Sequence, residues 1–518
     1  MGVGSYARLA GAALVLVRAD ALLPRELDPA LPPPVRALAW ALRLAKGREA
    51  RTGRPGERLA RALERLGPVA IKLGQFLSTR ADILGLDYAQ DLGRLKDRLA
   101  PFAVARARAE VAAALGKPLE AVFASFEPAA AGASLAQAHR ARLVGGREVA
   151  VKVLRPGIER RVAADSAALL TAARLVQAWA PAARRLEPVA FAATVVRALE
   201  LELDLRFEAA GADELRAIMS RDAHMRAPAV VWDGVARRVL TLEWAPGTPL
   251  SDPAALTVGG LDRPTLANNL VRAFLAQALD HGVFHADLHE GNLFVEPPAR
   301  LTAVDFGIVG RLGASERRYL AEILWGFLRR DYARVSATHF AAGYVPAHHD
   351  PAAFAQALRA VGEPLFGRRA SEVSMSRLLA QLFEITALFD MRLRPELVLL
   401  QKTMVTVEGV ARRIDADHDI WAAAEPVVRR WIVRELSPAA QVRDLGRDVR
   451  AAVSALAHSL EPAPPDSAAD RATAPARSAE GAHASRAGAR SFAWFALGAA
   501  ASAIAFALAI ALGLLAPH

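Results

Sequence analysis

The run His285-Ala286-Asp287-Leu288-His289-Glu290-Gly291-Asn292 is followed, thirteen residues after its Asn, by Asp305-Phe306-Gly307. The order supplies a carboxylate, an amide oxygen, and a second carboxylate after one strand's length of apolar residues. Such a set can hold magnesium and nucleotide phosphates over a catalytic acid, which is what phosphoryl transfer needs. Asp287 is the candidate carboxylate that faces the attacking nucleophile or orients water. Asn292 offers magnesium a neutral oxygen and Asp305 a charged one, as a hard cation prefers. His285 is expected to be structural, bonding its backbone surroundings. His285 and His289 could instead form a metal pair at i,i+4, but the loop is interrupted by Gly and has no clear third ligand.

Upstream, Val149-Ala150-Val151-Lys152 reads as a strand ending in an ammonium suited to α- and β-phosphates. Lys152 needs a carboxylate to hold it when phosphates are absent, and Glu202, Asp204 and Glu208 are the candidates. Taken as one helix, the segment turns Glu202 and Glu208 about 120° apart, so the two need not do the same job. Glu208 is assigned to Lys152, which leaves Glu202 and Asp204 free for something else. A solvated acidic face is the plain alternative.

Ordinary kinases cover the phosphates with a Gly-rich loop, because a missing Cβ lets backbone N–H groups approach. The equivalent place here reads Ala130-Ala131-Gly132-Ala133-Ser134, with a single Gly. Its extra methyl groups should change how a nucleotide sits, unless it is only a turn in an Ala-rich chain. Near the start, Leu66-Gly67-Pro68-Val69-Ala70-Ile71-Lys72-Leu73-Gly74-Gln75 suits a helix with Pro68 in its first turn. Lys72 and Gln75 at i,i+3 then share a face. By spacing alone that is an unremarkable polar stripe.

These groups need elements to carry them. Strands are expected at Val122–Phe126, Leu135–Leu143, Glu148–Val153, Val230–Trp232 and Val239–Glu243, with a hairpin turn at Gly145-Gly146. A long helical stretch is expected over Ala163–Ser220, and helices dominate from there to about residue 435. The short apolar run Leu9–Val17 suggests an amphipathic or packed helix, too short to span a bilayer and without the cleavage site of a signal peptide. The predicted fold is α+β and two-lobed. Residues 1–117 form a helical extension, 118–245 a strand-bearing lobe and 246–435 a helical lobe.

Residues 461–490 are rich in Ala, Pro, Ser, Gly and Arg and should form a flexible linker within a 436–490 tail. Phe492–Leu515 is then twenty-four residues without a charge. At ~1.5 Å per residue that is roughly 36 Å of helix, enough to cross a bilayer with some tilt. Arg477, Arg486 and Arg490 precede it, so the positive-inside rule places the body in the cytoplasm on a single C-terminal span, which the family resemblance described below would put in a bacterial inner membrane. Small residues spaced by four (Gly498 and Ser502; Ala499, Ala503, Ala507 and Ala511) could let two such helices meet as a homodimer, although so Ala-rich a segment shows that spacing anyway.

A chain of 518 residues can bury a large core, and a 53% hydrophobic, aromatic-poor composition reads as mostly helical. The absence of Cys excludes disulfides, thiolate catalysis and Cys-ligated metals. A net charge of +11 suits either a solvated surface or attraction to anionic lipids. Nucleic-acid binding is not expected, because no basic tract is interleaved with stacking aromatics.

The chain resembles the UbiB-type atypical kinase family, kinase-like proteins tied to ubiquinone biosynthesis, over about Gly67 to Asp419. The resemblance rests on the family's KxGQ motif (Lys72, Gly74, Gln75), its Ala-rich loop (Ala131, Gly132, Ala133, Ser134) with Gln137 beyond, and the strand Val149–Lys152. The ExD motif (Glu202, Asp204), Glu208, His285–Asn292 and Asp305–Gly307 complete it. It differs in having Leu288 and Glu290 where the family usually has Pro, and in showing one clear membrane span where many bacterial members show two. The resemblance implies that the KxGQ helix lies over the active site and blocks peptide substrates, with Lys72, Gln75, Glu202 and Asp204 towards a nucleotide. It also implies ATP or ADP and Mg2+ as cofactors, and membrane lipids and quinone-biosynthesis intermediates or enzymes as partners.

The expected function is therefore a membrane-bound kinase-like ATPase. A protein kinase is an alternative, but only seven residues separate Gly307 from the expected helix cap Ser315, and no Ala-Pro-Glu follows. A polyprenylphenol hydroxylase would need a flavin or metal to activate oxygen. Gly2-Val3-Gly4 precedes any strand and is no dinucleotide fingerprint.

Overall fold

The computed structural model describes residues 3–435, apart from 23, 27–32, 45–51, 79–85, 94, 96–99, 180–183, 185–186, 222–223, 364–384, 386–387 and 392–394. The fold is α+β. Helices α1 (Val3–Arg18), α2 (Pro33–Arg43), α3 (Pro55–Leu66), α4 (Pro68–Ser78), α5 (Leu86–Leu92) and α6 (Val104–Leu115) precede the first strand. Leu16 of α1 is buried, and α1 packs on α3 and on α7 (Ile158–Trp179), so the N-terminal apolar run is a packed helix.

Strands β1 (Phe123–Gly132), β2 (Ala136–Leu143) and β3 (Glu148–Leu154) form an antiparallel meander. The β2–β3 connection turns at Gly146, whose φ of 86° is left-handed. Period-two alternation decides where β3 points its side chains. Val149, Val151 and Val153 are fully buried in a cluster with Ala107 and Val111 of α6, while Ala150 and Lys152 face the other side. Each buried Val contributes roughly 1.5–3 kcal/mol, so a slip of one residue that turned Lys152 inward would be strongly disfavoured.

The expected strand at Val230–Trp232 does not form. Val230 makes an isolated bridge to Leu242, and Trp232–Gly234 is a 3-10 turn that Thr241 Oγ1 closes onto the Gly234 carbonyl at 2.9 Å. The order of the first sheet is β1-β2-β3-β5, with β5 at Val239–Glu243, because a two-residue β4 (Met225–Arg226) pairs elsewhere.

The single long helix expected over Ala163–Ser220 is three helices: α7, α8 (Pro188–Glu202) and α9 (Leu205–Met219). The chain breaks at Asp204, which adopts an extended backbone and caps α9 by accepting from the Arg206 N–H at 3.2 Å. Glu202 and Glu208 thus lie on different helices, and an angle computed along one helix does not apply to them. Along α9, Leu205, Glu208, Ala209, Ala212, Leu215 and Met219 make one buried stripe.

Beyond β6 (Thr248–Pro249), α10 (Arg263–Ala276) is buried along most of its length and runs into a π-turn at Gln277–His281. Strand β7 (Val283–His285) pairs with β10 (Val309–Arg311), and β8 (Leu293–Glu296) with β9 (Arg300–Ala303). These short pairs frame the segments 286–292 and 304–308. Helices α11 (Ala314–Leu328), α12 (Tyr332–Ala341), α13 (Pro351–Gly362), α14 (Pro395–Ile414) and α15 (Ile420–Glu435) follow. Gly313, not Ser315, caps α11, so the helix starts earlier than expected.

The tail, linker and apolar segment at 436–490 and 492–515 lie outside the described residues, as do Gly498, Ser502, Ala499 and Ala503. Among the described residues no helix is long and apolar enough to cross a membrane.

Candidate functional site

Lys152, carried by β3, is the centre of the site. Its Nζ donates to both Glu208 oxygens at 2.8 and 3.0 Å and to Asp305 Oδ1 at 3.1 Å. Glu208 sits on the buried stripe of α9, where the pattern calls for an apolar side chain, and only 9% of it is exposed. A carboxylate is stable there because Lys152 pairs with it. Gly211, one turn on, lets α9 come close: a Cβ there would meet Val309 at 3.1 Å and the Phe306 carbonyl at 3.4 Å.

The three groups shape one another's protonation. Burial pushes Glu208 up to about 7; Lys152 pulls it down, while Asp305 and Glu202 push it further up. Asp305 is held down to about 2, first by the Lys152 charge. Lys152 itself is raised, because Asp305 and Glu208 together outweigh the burial that would lower it. The triad therefore holds an ionised Asp305 and a charged Lys152 across the physiological range. Asp305 also carries a left-handed φ of 63°, a conformation that Asp tolerates better than most side chains.

His285 is fully buried, and both of its ring nitrogens are engaged. Nδ1 accepts the Asp287 N–H at 3.1 Å, which leaves Nε2 to donate to the Val304 carbonyl at 3.1 Å. Burial lowers its pKa, and these partners define one neutral tautomer. His289 Nδ1 accepts the Gly291 N–H at 3.0 Å, capping the 3-10 turn Glu290–Asn292. The alternative of a His285–His289 metal pair is thereby removed, since His285 has no nitrogen left to give.

Asn292 Nδ2 donates to the Asp287 carbonyl at 3.0 Å. A carbonyl can only accept, so the amide orientation follows and Oδ1 is left as a ligand atom. The Val304 N–H donates to the Asn292 carbonyl at 2.9 Å, tying this loop to the strand that leads to Asp305. Asp287, Asn292 and Asp305 thus present hard oxygen atoms on two linked segments.

The loop's stiffness comes from neighbours rather than from Pro. Leu288 is fully buried, and Glu290 is ion-paired with Arg413 of α14. Thr403 Oγ1, also on α14, donates to the Ala286 carbonyl at 3.0 Å. Gln277 Oε1, in the π-turn, accepts the His285 N–H at 3.1 Å. Sequence reasoning missed Gln277, Thr403 and Arg413. Their partners are distant in the chain, and no local pattern marks them.

Lys72 is ion-paired with Glu202 across α4 and α8, with 13% and 24% of the side chains exposed. Gln75, on the same face of α4, is half-buried. Gly74 lets α4 seat, since a Cβ there would lie 2.4 Å from Leu95 and 2.8 Å from Leu63. Asp204 turns to Arg206, accepting from Nε at 2.9 Å and Nη2 at 2.6 Å. Glu202 ends α8 and Glu208 lies on α9, just past the break at Asp204, so the Lys72 pair and the Lys152 pair are carried by consecutive helices.

The Ala-rich turn joins β1 to β2. Ala131 and Gly132 close β1 opposite Ala138 and Gln137, and the Ala133 N–H donates to the Ala136 carbonyl at 2.8 Å. Ser134 is buried. Sequence reasoning also missed Arg155, whose Nε and Nη2 reach the Ala133 carbonyl at 3.0 and 2.9 Å.

The ABC1 atypical kinase-like domain family matches residues 94–339, and the UbiB helical domain family matches residues 358–419. A "Probable protein kinase UbiB" from Xanthomonas euvesicatoria pv. vesicatoria (strain 85-10) is 42% identical over 404 residues, 76% of this chain and 72% of that one. The protein of the same name from Marinobacter nauticus (strain ATCC 700491 / DSM 11845 / VT8) is 40% identical over 395 residues, 75% and 72% of the two chains. A solved structure, "The complex structure of Rv3197-erythromycin from Mycobacterium tuberculosis", superposes with a TM-score of 0.48 at 24% identity, covering 70% of this chain and 93% of that one.

Proposed function

This chain belongs to the UbiB-type ABC1 atypical kinase-like family, and we propose that it is a membrane-anchored kinase-like ATPase serving ubiquinone biosynthesis. The observation that carries this is the placement of Lys152 Nζ between Glu208 and Asp305. An ammonium held by two carboxylates, beside a loop bearing Asp287 and Asn292, is set to receive an anionic phosphate in exchange for one of them.

Lys152 binds phosphate, Glu208 keeps it in place, and Asp287 faces the nucleophile. Asp305 and Asn292 Oδ1 would hold magnesium, whose oxygen preference they match, and the ion would supply charge neutralisation on the phosphates. The turn Ala131–Ser134 covers the nucleotide, and Lys72, Gln75, Glu202 and Asp204 border it. The uncharged segment Phe492–Leu515 anchors the body to the inner membrane, where lipid and quinone intermediates are at hand.

A protein kinase is supported by the names of the curated relatives but poorly by the chain after Gly307. Strand β10 pairs there with β7 and α11 starts at Ala314, which leaves little chain to dock a peptide. The test is to incubate the purified full chain with labelled ATP, magnesium and membrane lipids, and to follow the label. Magnesium-dependent release to phosphate or lipid supports the proposal, and label on added protein favours the protein kinase. Absence of nucleotide binding overturns both.

A further inference from the structure

We infer that Arg155 is a positioning residue that clamps the Ala-rich turn over the nucleotide, with residues 100–102 as its strut; this rests on the nucleotide-binding function proposed above. Arg155 follows Lys152 at the end of β3, and its guanidinium works in two directions. Nε and Nη2 both donate to the Ala133 carbonyl, at 3.0 and 2.9 Å, while Nη1 donates to the Ala100 carbonyl at 2.9 Å. The guanidinium carbon also lies 5.9 Å from the centre of the Phe102 ring. The Arg155 backbone N–H donates to the Leu135 carbonyl at 2.8 Å, so the same residue grips both sides of the turn.

A second link runs in parallel. Gln137, 1% exposed at the start of β2, accepts the Phe102 N–H at 2.8 Å and donates to the Phe102 carbonyl at 3.2 Å. Its amide also bonds His139 Nε2 at 2.8 Å, and His139 Nδ1 meets the Glu127 carbonyl at 2.8 Å on β1. Residues 100–102, which lead into α6, are therefore fastened to both strands that flank the turn.

A Gly-rich loop folds down on phosphates because Gly reaches backbone conformations closed to other residues. A turn with a single Gly among Ala and Ser has less of that freedom and needs its height set from outside. The planar fork of Arg suits this, because it can satisfy two carbonyls in different directions at once. A Lys ammonium is a point donor on a flexible stem and cannot hold the same geometry.

The test is calorimetric titration of the full chain with MgADP, alongside MgATP hydrolysis and thermal melting. Arg155→Lys is expected to raise Kd and KM about tenfold, with kcat changed less and the melting temperature close to wild type. Gln137→Ala, cutting the second link, is expected to act in the same direction. The double variant should lose less than the sum of the two, because both links hold one turn. Wild-type affinity in Arg155→Lys overturns the inference, as does a loss of binding that merely follows a loss of folded protein. If the wild-type chain itself binds no MgADP, the proposed function fails and the inference falls with it.

Discussion

The Lys72 ammonium is ion-paired with the Glu202 carboxylate, joining α4 of the N-terminal helices to the end of α8, one short break before the helix that carries Glu208. The polar stripe that spacing describes as ordinary is thus a partly buried tether between helices. Lys72→Ala leaves Glu202 without this partner and the rim more negative, which opposes phosphate. The expected outcome is weaker nucleotide binding and a loss of about 1–3 kcal/mol of stability, against under about 0.5 kcal/mol for a solvated stripe. Nucleotide titration and chemical denaturation check it, with quinone content in cells as the physiological readout.

Asp305→Asn should abolish magnesium-dependent nucleotide binding while sparing the fold. A neutral amide replaces the charged oxygen ligand, yet Asn tolerates the left-handed φ of 63° that the position demands. Titration with and without magnesium, and melting of the variant, separate the two effects. Unchanged MgATP affinity would remove Asp305 from the site.

Stability should depend on pH through Glu208 and Asp305 in opposite senses. Burial raises Glu208 from its ordinary 4.5 to about 7, so between those values the folded state binds more protons than the unfolded. Stability from this group therefore falls as pH rises through that window. Asp305 is lowered from its ordinary 3.8 to about 2, so its contribution is present above 3.8 and lost as pH falls towards 2. Glu208→Gln should flatten the decline between about pH 4.5 and 7. Melting curves of both proteins across pH 3–8 decide, and parallel profiles above pH 4 would reassign the titration.

Deleting Phe492–His518 should release the kinase-like body from membranes. If the truncated chain still sediments with vesicles, a high-salt wash distinguishes the causes. Attraction of the +11 chain to headgroups is screened by salt, whereas burial of an apolar segment is not. Salt-resistant binding of the truncated chain would place the anchor elsewhere.

Much of the candidate site is legible in the sequence because its signals are local. Asp287, Asn292 and Asp305 stand at fixed short spacings on two segments that the β8–β9 hairpin joins, where the sequence suggested a single strand, and Lys152 ends an apolar β-run whose alternation sets its direction. The Ala-rich turn and the Lys72 helix are picked out by the family resemblance alone, since by spacing one is a plain turn and the other a polar stripe. Local pattern also misled, where Val230–Trp232 looked like a strand and Ala163–Ser220 like one helix. A side-chain cap at Asp204 and a 3-10 turn at Trp232 outweigh propensity there, and neither is apparent from periodicity.

By itself the sequence determined the kinase-like α+β class and the residue types that could meet a nucleotide, since both follow from patterns that repeat over a few residues. Only the tertiary structure decided which carboxylate meets which ammonium. Lys152 finds Glu208 56 positions away, and Lys72 finds Glu202 between two other helices. Burial makes each pairing specific: a charge removed from water needs its partner within a few ångströms, and packing across the chain chooses which partner arrives there.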